Sequence, residues 1–318
     1  MIKKSTVLVA GGAGFIGSHL VDKLMENNNE VVVVDDLSTG NIENIAKHMG
    51  SENFEFHDED IIEIEMEFNG EYVFNLACPA SPKHYQAQPF QTMMTNVQGT
   101  YELLNMVHEC GGRMIQASTS EVYGDPLQHP QTEDYLGNVN PLGPRACYDE
   151  GKRAAEALCA DFDRQHYVDV HIARIFNTYG PNMAVGDGRV VSNFITQALL
   201  GRPLTVFGDG MQTRSLCYVS DTVDALIRMA QIDQIDMCVL NIGNPHEVTM
   251  VELAEKIIAR TKSSSKITFL DLPEDDPKKR KPDITRAREK IKWEPRVSLD
   301  DGLDMTIEHF RKTISCLQ

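Results

Sequence analysis

Apolar residues near the start of the chain change their spacing twice. Residues 6–36 begin with the β-branched run TVLVA, pass through glycines, and then place Ile16, Leu20 and Leu24 at the period of a helix. A second β-branched run follows at 31–34. This order predicts a strand, a tight turn, a helix and a second strand, which together form one βαβ unit.

Further β-rich runs recur along the next part of the chain. They lie at 72–77, 113–118 and 169–176, with helical periodicity near 91–110 and 148–166 between them. Alternating strands and helices are typical of a parallel sheet that is covered on both faces. We therefore predict an α/β fold with a Rossmann-type, doubly wound parallel sheet.

The pattern changes beyond residue 180. Glycine and proline there interrupt short pieces such as YGPNMAVGDGRVV and GRPLTVFGDG. We expect residues 1–180 to form the Rossmann domain and residues 181–318 to form a smaller C-terminal substrate-binding domain. Some of the later segments should return to the first domain.

The overall charge narrows the class of ligand. The 318 residues include 30 Lys and Arg against 47 Asp and Glu, a net charge of −17. Such a surface repels nucleic acid and anionic membranes, so we expect neither as a partner. If the ligand is an anion, local basic residues must capture it.

The cysteines give no sign of a disulfide framework or a metal site. They number seven, lie scattered, and form no C-x-x-C pair or His pair at metal-ligand spacing. We expect free thiols and no metal. The chain also lacks an apolar run of about 18 residues, and TVLVAGG follows the first residues without a signal-like stretch, so we expect a cytoplasmic protein.

A glycine turn follows the first predicted strand. Gly11, Gly14 and Gly17 form G-x-x-G-x-x-G before a helix, where backbone N–H groups can approach a pyrophosphate. Asp35 and Asp36 end the second strand, where a carboxylate can bind ribose hydroxyls. These acids would repel a 2′-phosphate, and the stretch DDLSTGN contains no arginine to receive one. The turn predicts a dinucleotide site that favours NAD over NADP.

Two further stretches carry candidate chemistry. In QASTSEVYG, Thr119, Ser120 and Glu121 follow a predicted strand, and in CYDEGKR, Tyr148 and Lys152 share one face of a helix. Alone, such a Tyr/Lys pair is more often an ordinary surface pair. Beside a dinucleotide site, the ammonium is expected to lower the pKa of the phenol, which could then act as a base toward a sugar hydroxyl.

Seven stretches together give the chain a family resemblance. GGAGFIGSHL, NLACPASPKHY, ASTSEVYGDP, NPLGPRACYDEGKR, RIFNTYGP, DGRVVSNFI and KKRKPDI occur in the order found in UDP-glucuronate decarboxylases, also called UDP-xylose synthases. The sequence resembles this family, which belongs to the extended short-chain dehydrogenase/reductase superfamily, over nearly its whole length. STSEVYGDP and PRACYDEGKR are its most specific parts.

The resemblance implies decarboxylation of UDP-glucuronate to UDP-xylose with bound NAD. The sugar would be oxidised to a 4-keto intermediate, lose carbon dioxide, and receive its hydride back at C4. Related 4,6-dehydratases carry Asp-Glu where Ser120 and Glu121 stand here, and a neutral serine avoids a second anion beside the substrate carboxylate. The resemblance also favours a homodimer that pairs the helices near 91–110 and 148–166.

Residue by residue, the resemblance and the motifs give three sets of site residues. The catalytic set is Thr119, Ser120, Glu121, Tyr148, Lys152 and Arg280. The cofactor-binding set is Gly11, Gly14, Phe15, Ile16, Gly17, Asp35, Asp36, Ser38, Thr39, Gly40, Asp60, Ile61, Leu76, Ala77, Thr95, Ser118, Tyr148, Lys152 and Thr178. The substrate-binding set is Tyr85, Asn177, Arg189, Val190, Arg214, Tyr218 and Arg280.

Two of these arginines have simpler interpretations. A basic run such as 278–281 is more often a solvated patch, although the resemblance places Arg280 near the sugar carboxylate or the diphosphate. Arg214 could pair with Asp209 or Asp221 instead of a phosphate.

Three positions depart from the family pattern. Met94 and Glu102 stand where family members commonly have Lys and Asn, and Asn182 stands where an Arg is frequent. If the lysine helps to hold the acidic sugar, its loss points to a different substrate. The alternatives are therefore a UDP-hexuronate 4-epimerase, a nucleotide-sugar 4,6-dehydratase, or a non-catalytic NAD-binding relative.

Overall fold

The computed structural model describes residues 2–233, 236–271 and 279–317. The strands are β1 Thr6–Ala10, β2 Glu30–Val34, β3 Phe54–His57, β4 Tyr72–Asn75, β5 Arg113–Thr119, β6 Asp169–Ile175, β7 Thr178–Tyr179, β8 Leu204–Phe207, β9 Thr213–Ser215, β10 Cys217–Tyr218, β11 Val239–Ile242, β12 Glu247–Thr249, β13 Ile267–Leu270 and β14 Lys279–Arg280. The helices are α1 Phe15–Glu26, α2 Pro82–Ala87, α3 Pro89–Met94, α4 Thr100–Cys110, α5 Ala146–His166, α6 Val190–Leu199, α7 Val219–Met229, α8 Met250–Thr261, α9 Thr285–Ile291 and α10 Leu299–Leu317.

A seven-stranded parallel sheet forms the centre of the fold. Its order is β11-β6-β5-β4-β1-β2-β3, so the chain winds outward from β1 in both directions. The residues of β1 are almost all fully buried, because helices cover both faces of the sheet. The predicted Rossmann-type sheet is confirmed. Its order reverses between β1 and β4, the place where such sheets bind ligands.

Two strands of this sheet were not among the predicted β-rich runs. β3 has the sequence FEFH, and each of its residues is at least partly exposed, because it forms one edge of the sheet. β11 contains the buried Asn241, whose side chain donates to the backbone carbonyls of Gln131 and Asp283. Neither strand has the continuous apolar run of a central strand. β11 also shows that a segment beyond residue 180 pairs with β6.

Short strands and helices from the second half of the chain lie beside the C-terminal edge of the main sheet. β9 pairs with β12 in antiparallel fashion and with β14 in parallel. This pairing puts Arg280 opposite Arg214 in register. It therefore brings residues far apart in sequence to one wall of the site.

The predicted helix near 91–110 is interrupted. α3 and α4 are joined by a π-helical turn at Thr95–Gly99, and Gly99 lies there against Ile61. Within the described ranges, no helix is long and apolar enough to cross a membrane, and no group of His, Cys, Asp or Glu side chains is arranged to hold a metal ion.

Asp221 ties the chain before α10 to α7. Its Oδ2 accepts hydrogen bonds from the backbone N–H groups of Arg296 and Val297, at 3.0 and 2.9 Å. We expect Asp221→Ala to lower the free energy of unfolding by about 2–3 kcal/mol, because both N–H groups lose their acceptor. Asp224→Ala, on the same helix but in an exposed pair, should cost at most about 1 kcal/mol. Urea unfolding measures both, and equal losses would contradict this role.

Candidate active site

A cavity of about 1600 Å³ lies at the C-terminal ends of β1, β4, β5 and β6. Most of the predicted site residues line it. These are Gly11, Gly14, Phe15, Ile16, Gly17, Asp35, Asp36, Ser38, Thr39, Asp60, Ile61, Leu76, Ala77, Tyr85, Thr95, Ser118, Thr119, Ser120, Glu121, Tyr148, Lys152, Asn177, Thr178, Arg189, Val190, Arg214 and Arg280. Gly40 and Tyr218 lie outside the lining.

The glycine turn is tight enough to require glycines. Gly11 has a φ of +78°, and a Cβ there would lie 2.7 Å from the carbonyl carbon of Leu76. A Cβ on Gly17 would lie 2.0 Å from the carbonyl oxygen of Gly11. Side chains at these positions would push the turn away from β4 and from α1. The turn therefore leaves its backbone and the N-terminus of α1 open to the cavity, as a pyrophosphate requires.

The two acids after β2 have different environments. Asp35 is buried, and its carboxylate accepts from the backbone N–H groups of Ala13 and Leu37 at 2.9 and 3.0 Å. Burial raises the pKa of Asp35, partly opposed by these hydrogen bonds. Asp36 is exposed and accepts from Ser38. Asp35 thus holds the glycine turn in place, and Asp36 is the more exposed of the two acids.

Gly40 supports this arrangement from outside the cavity. A Cβ at Gly40 would lie 2.6 Å from Oδ1 of Asp35, so only glycine allows the chain to pass so closely. Its contact with the cofactor stays a prediction.

The end of β5 and the turn after it present four polar side chains to the cavity. Thr119 caps a short 3₁₀ helix at Ser120–Tyr123, and its Oγ1 accepts from the backbone N–H of Glu121 at 3.3 Å. Ser118 donates its hydroxyl proton to Glu156 at 2.5 Å, so its hydroxyl is already engaged. The cap turns the side chains of Ser120 and Glu121, both buried, toward the cavity.

Tyr148 and Lys152 lie on α5 against the end of β5. The ring of Tyr148 stacks on that of Tyr85, with centroids 5.0 Å apart and planes 7° apart. Lys152 donates from Nζ to the carbonyl of Ala117 at 2.9 Å. Burial raises the pKa of Tyr148, and a hydrogen bond with Thr119 opposes this effect. The net shift of the Tyr148 pKa in the protein alone is upward because desolvation dominates, and the lowering of this pKa by Lys152 stays a prediction.

Glu121 lies between two arginines that are far apart in sequence. Arg280 Nη2 donates to Glu121 Oε2 at 2.6 Å, while Arg280 Nη1 pairs with Oε1. Arg145 Nη2 also pairs with Oε2. Arg280 lines the cavity as predicted, but in this structure its guanidinium binds Glu121 in a two-pronged arrangement.

Asp149 extends this cluster. Its Oδ2 lies 3.8 Å from Nε of Arg145, one helical turn away. Burial, followed by the charge of Glu121, raises the pKa of Asp149 to about 7. Sequence reasoning missed both Arg145 and Asp149. The available signal was their i,i+4 spacing within PRACYDEGKR, a stretch that we used only for its Tyr and Lys.

Basic residues line the opposite wall of the cavity. Arg189 lies 5.2 Å from the ring centroid of Phe15, and its Nε pairs with Asp187. Arg214 is buried and donates from Nη1 to the carbonyl of Thr213 at 2.9 Å. Of its two alternative partners, Asp221 accepts from the backbone of residues 296 and 297 through Oδ2. These two arginines supply the local positive charge that an anionic ligand would need.

Tyr218 does not reach the cavity. Its hydroxyl donates to the sulfur of Met305 at 3.5 Å, and its ring lies edge-on to that of Tyr179. This side chain is therefore not among those that line the cavity, and its contact with the substrate stays a prediction. It packs into the core because β10 pairs with β7 and turns it inward.

The departures from the family pattern lie mostly away from the cavity. Met94 is 44 % exposed on α3, and Glu102 accepts a hydrogen bond from Gln98. Neither lines the cavity. Asn182 does line it, and its side chain donates to Ser18 at 3.0 Å. Met94 and Glu102 thus leave the acidic-sugar interpretation unaffected.

The chain resembles known proteins over almost its entire length. The family model for GDP-mannose 4,6 dehydratase matches residues 8–306. The UDP-glucuronic acid decarboxylase 5 of Arabidopsis thaliana is 54 % identical over 306 residues, which cover 96 % of this chain and 89 % of the relative.

Solved structures share the fold at lower identity. The UDP-glucose 4-epimerase of Thermotoga maritima, with UDP-glucose, has a TM-score of 0.89 at 34 % identity, covering 97 % of this chain and 99 % of the other. The UDP-glucuronic acid 4-epimerase of Bacillus cereus, in complex with UDP-glucuronic acid and NAD, has a TM-score of 0.88 at 28 % identity, with the same coverage. The identity is thus highest to the decarboxylase. With the glycine turn, STSE and the Tyr148/Lys152 pair in one cavity, the chain belongs to the UDP-glucuronic acid decarboxylase family of the extended short-chain dehydrogenase/reductases.

Proposed function

We propose that this protein is an NAD-dependent UDP-glucuronate decarboxylase that forms UDP-xylose. The observation that carries the proposal is the composition of the catalytic wall. Tyr148 and Thr119 are hydrogen-bonded there, the neutral Ser120 stands beside them, and Arg280 lines the same cavity. This set can deprotonate a sugar hydroxyl and accept a carboxylate without adding another anion next to it.

The residues around the glycine turn fit NAD. Close packing at Gly11 and Gly17 holds the turn so that its backbone and the N-terminus of α1 face the cavity, and the exposed Asp36 is available to a ribose. When bound, NAD supplies a reversible hydride acceptor for C4 of the sugar. No arginine occurs between Asp35 and Asn41 to neutralise a 2′-phosphate, which supports NAD over NADP.

Tyr148 is the proposed base. Its phenolic oxygen takes the proton of the C4 hydroxyl as that carbon is oxidised, and Thr119 orients it through their hydrogen bond. The resulting 4-ketone lies β to the carboxylate on C5. The bond to the carboxyl carbon then breaks, carbon dioxide leaves, and the electron pair enters an enolate. A proton delivered to C5, the hydride returned to C4 and the proton that Tyr148 gives back to the C4 oxygen complete UDP-xylose, with Glu121 in or beside the proton relay.

Ser120 determines which reaction follows oxidation. An aspartate here would face the sugar carboxylate at a few ångströms, a repulsion of about 1–4 kcal/mol for effective dielectric constants between 80 and 20. A 4,6-dehydratase instead needs an acid at this position, since it must protonate a departing hydroxyl. The serine therefore supports decarboxylation over dehydration.

The nucleotide would lie against the second half of the chain. We propose that residues 1–180 bind NAD and that residues 181–318 provide most of the contacts to UDP. Arg189 and Arg214 would bind the diphosphate, since guanidinium groups match phosphate oxygens with two parallel donors. The hydroxyl of Tyr85 is buried on the cavity wall without a hydrogen-bond partner among the described residues, so it is free to bind the sugar.

A UDP-hexuronate 4-epimerase is the second candidate, because solved structures of the same fold include that activity. The higher identity to the decarboxylases favours decarboxylation. Purified protein given UDP-glucuronate distinguishes the two reactions. Release of carbon dioxide with a product of pentose mass supports the decarboxylase, and an isomer of unchanged mass supports the epimerase.

We further propose a homodimer in a reducing compartment such as the cytoplasm. Phe90, Met94 and Tyr101 expose 87, 44 and 42 % of their surfaces on α3 and α4, and Tyr101 packs edge-on against Phe162 of α5. An apolar face of this kind supports pairing with a second copy. The seven free cysteines are consistent with reducing conditions.

Replacing Phe90 tests the dimer. We expect the wild-type protein to have the mass of two chains and Phe90→Asp to have the mass of one, because a buried charge would oppose pairing of the helices. Leu142→Asp, at a position 94 % exposed outside these helices, should remain dimeric. Light scattering gives the masses, and a single-chain mass for wild type would refute the dimer.

Removing the phenolic oxygen tests the proposed base. We expect Tyr148→Phe to lower kcat about 10²–10⁴-fold, the usual contribution of a general base. NAD binding, measured by calorimetry, should change little, because only the proton acceptor is lost. Retention of more than about a tenth of kcat would contradict a general-base role.

Replacing Ser120 tests the electrostatic argument. Ser120→Asp should lower kcat/KM for UDP-glucuronate roughly thirtyfold, equivalent to about 2 kcal/mol, while affinity for the neutral UDP-glucose changes much less. Ser120→Ala removes the hydroxyl without adding charge and serves as the control. Equal losses for both variants, independent of the charge of the ligand, would instead make Ser120 a neutral hydrogen-bonding group.

A further inference from the structure

The Glu121 cluster contains two positive and two negative side chains. Arg145 lies between two carboxylates, with Nη2 on Glu121 and Nε 3.8 Å from Asp149. Arg280 has both of its terminal nitrogens on Glu121. Glu121 is therefore held by two guanidinium groups, so one of them could move away while the other still pairs with the carboxylate.

Arg280 is the arginine that is suited to release Glu121 and bind a ligand. It lines the cavity and is 8 % exposed, and its Nε has no hydrogen-bond partner within the described parts of the chain. Buried donors are nearly always paired, so an unpaired one facing a ligand cavity indicates that a ligand supplies the acceptor. Arg145 also lines the cavity, but it lies at the start of α5 and shares its charge with Asp149 on that helix.

We propose that Arg145 is a positioning residue, which keeps hold of Glu121 while Arg280 turns from Glu121 to the acid group of the ligand. This inference rests on the proposed function, because it requires an acidic nucleotide sugar. Without Arg145, turning Arg280 would leave Glu121 buried and unpaired, which is strongly unfavourable. A neutral nucleotide sugar offers Arg280 no anion at this position. Its binding therefore does not depend on Arg280 turning away from Glu121.

The test compares an acidic and a neutral ligand in a protein that cannot turn over. In the NAD-loaded Tyr148→Phe background, calorimetry gives the dissociation constants of UDP-glucuronate and UDP-glucose. Adding Arg145→Met should weaken UDP-glucuronate at least tenfold and UDP-glucose less than threefold. Adding Arg145→Lys should restore part of the affinity for the acid.

Arg153→Met is the matched control. Arg153 lies on the same helix and donates to the carbonyls of Val122 and Leu136, so it supports the same turn without contacting Glu121. It should change both affinities by less than threefold, or by equal factors. If Arg145→Met weakens both ligands equally, or neither of them, Arg145 has no such role and the proposal is overturned.

Asp149→Asn provides a second, opposite test if Arg145→Met does not fold. Removing this negative charge frees Arg145 for Glu121, so UDP-glucuronate should bind at least as tightly as in the parent. Weaker binding of UDP-glucuronate at unchanged affinity for UDP-glucose would overturn the proposal. Failure of the proposed function has a separate signature, since the wild-type protein would then release no carbon dioxide from UDP-glucuronate.

Discussion

The arrangement of the site depends on one buried carboxylate. Glu121 follows the central strand β5, yet its partners come from the start of α5 and from β14, near the end of the chain. A buried ion is tolerated when opposite charges and hydrogen bonds surround it, so the three segments must meet for Glu121 to be buried at all. The pairing of β14 with β9 is thereby linked to the catalytic wall.

Desolvation is the second constraint on this wall. Burial raises the pKa of Tyr148 and of Asp149 and lowers that of Lys152. In each case burial favours the neutral form of the side chain, as expected where water is excluded. Burial thus opposes charge on each of these three side chains, whereas Glu121 is surrounded by the guanidinium groups of Arg145 and Arg280.

The relatives with the same fold perform several reactions on nucleotide sugars. In the reaction that we propose for this chain, oxidation uses the glycine turn and Tyr148, and the step that follows depends on the side chains around the oxidised sugar. The cavity is lined there by Ser120, instead of an acid, and by Glu121 with its two arginines. Function is thus decided at few positions on a shared fold.

The sequence alone predicted five of the seven strands of the central sheet, the glycine turn and most of the residues discussed in the cavity. These features are local: β-branched runs, helical periodicity and G-x-x-G-x-x-G depend on neighbouring residues, so a linear pattern reveals them. Tertiary structure decided what each side chain contacts. The side chain of Tyr218 packs in the core, and Asp35 accepts a hydrogen bond from the glycine turn. Arg145 pairs with both Glu121 and Asp149. Tertiary structure also set the direction of the Tyr148 pKa shift, because burial depends on residues from the whole chain and no local spacing records it.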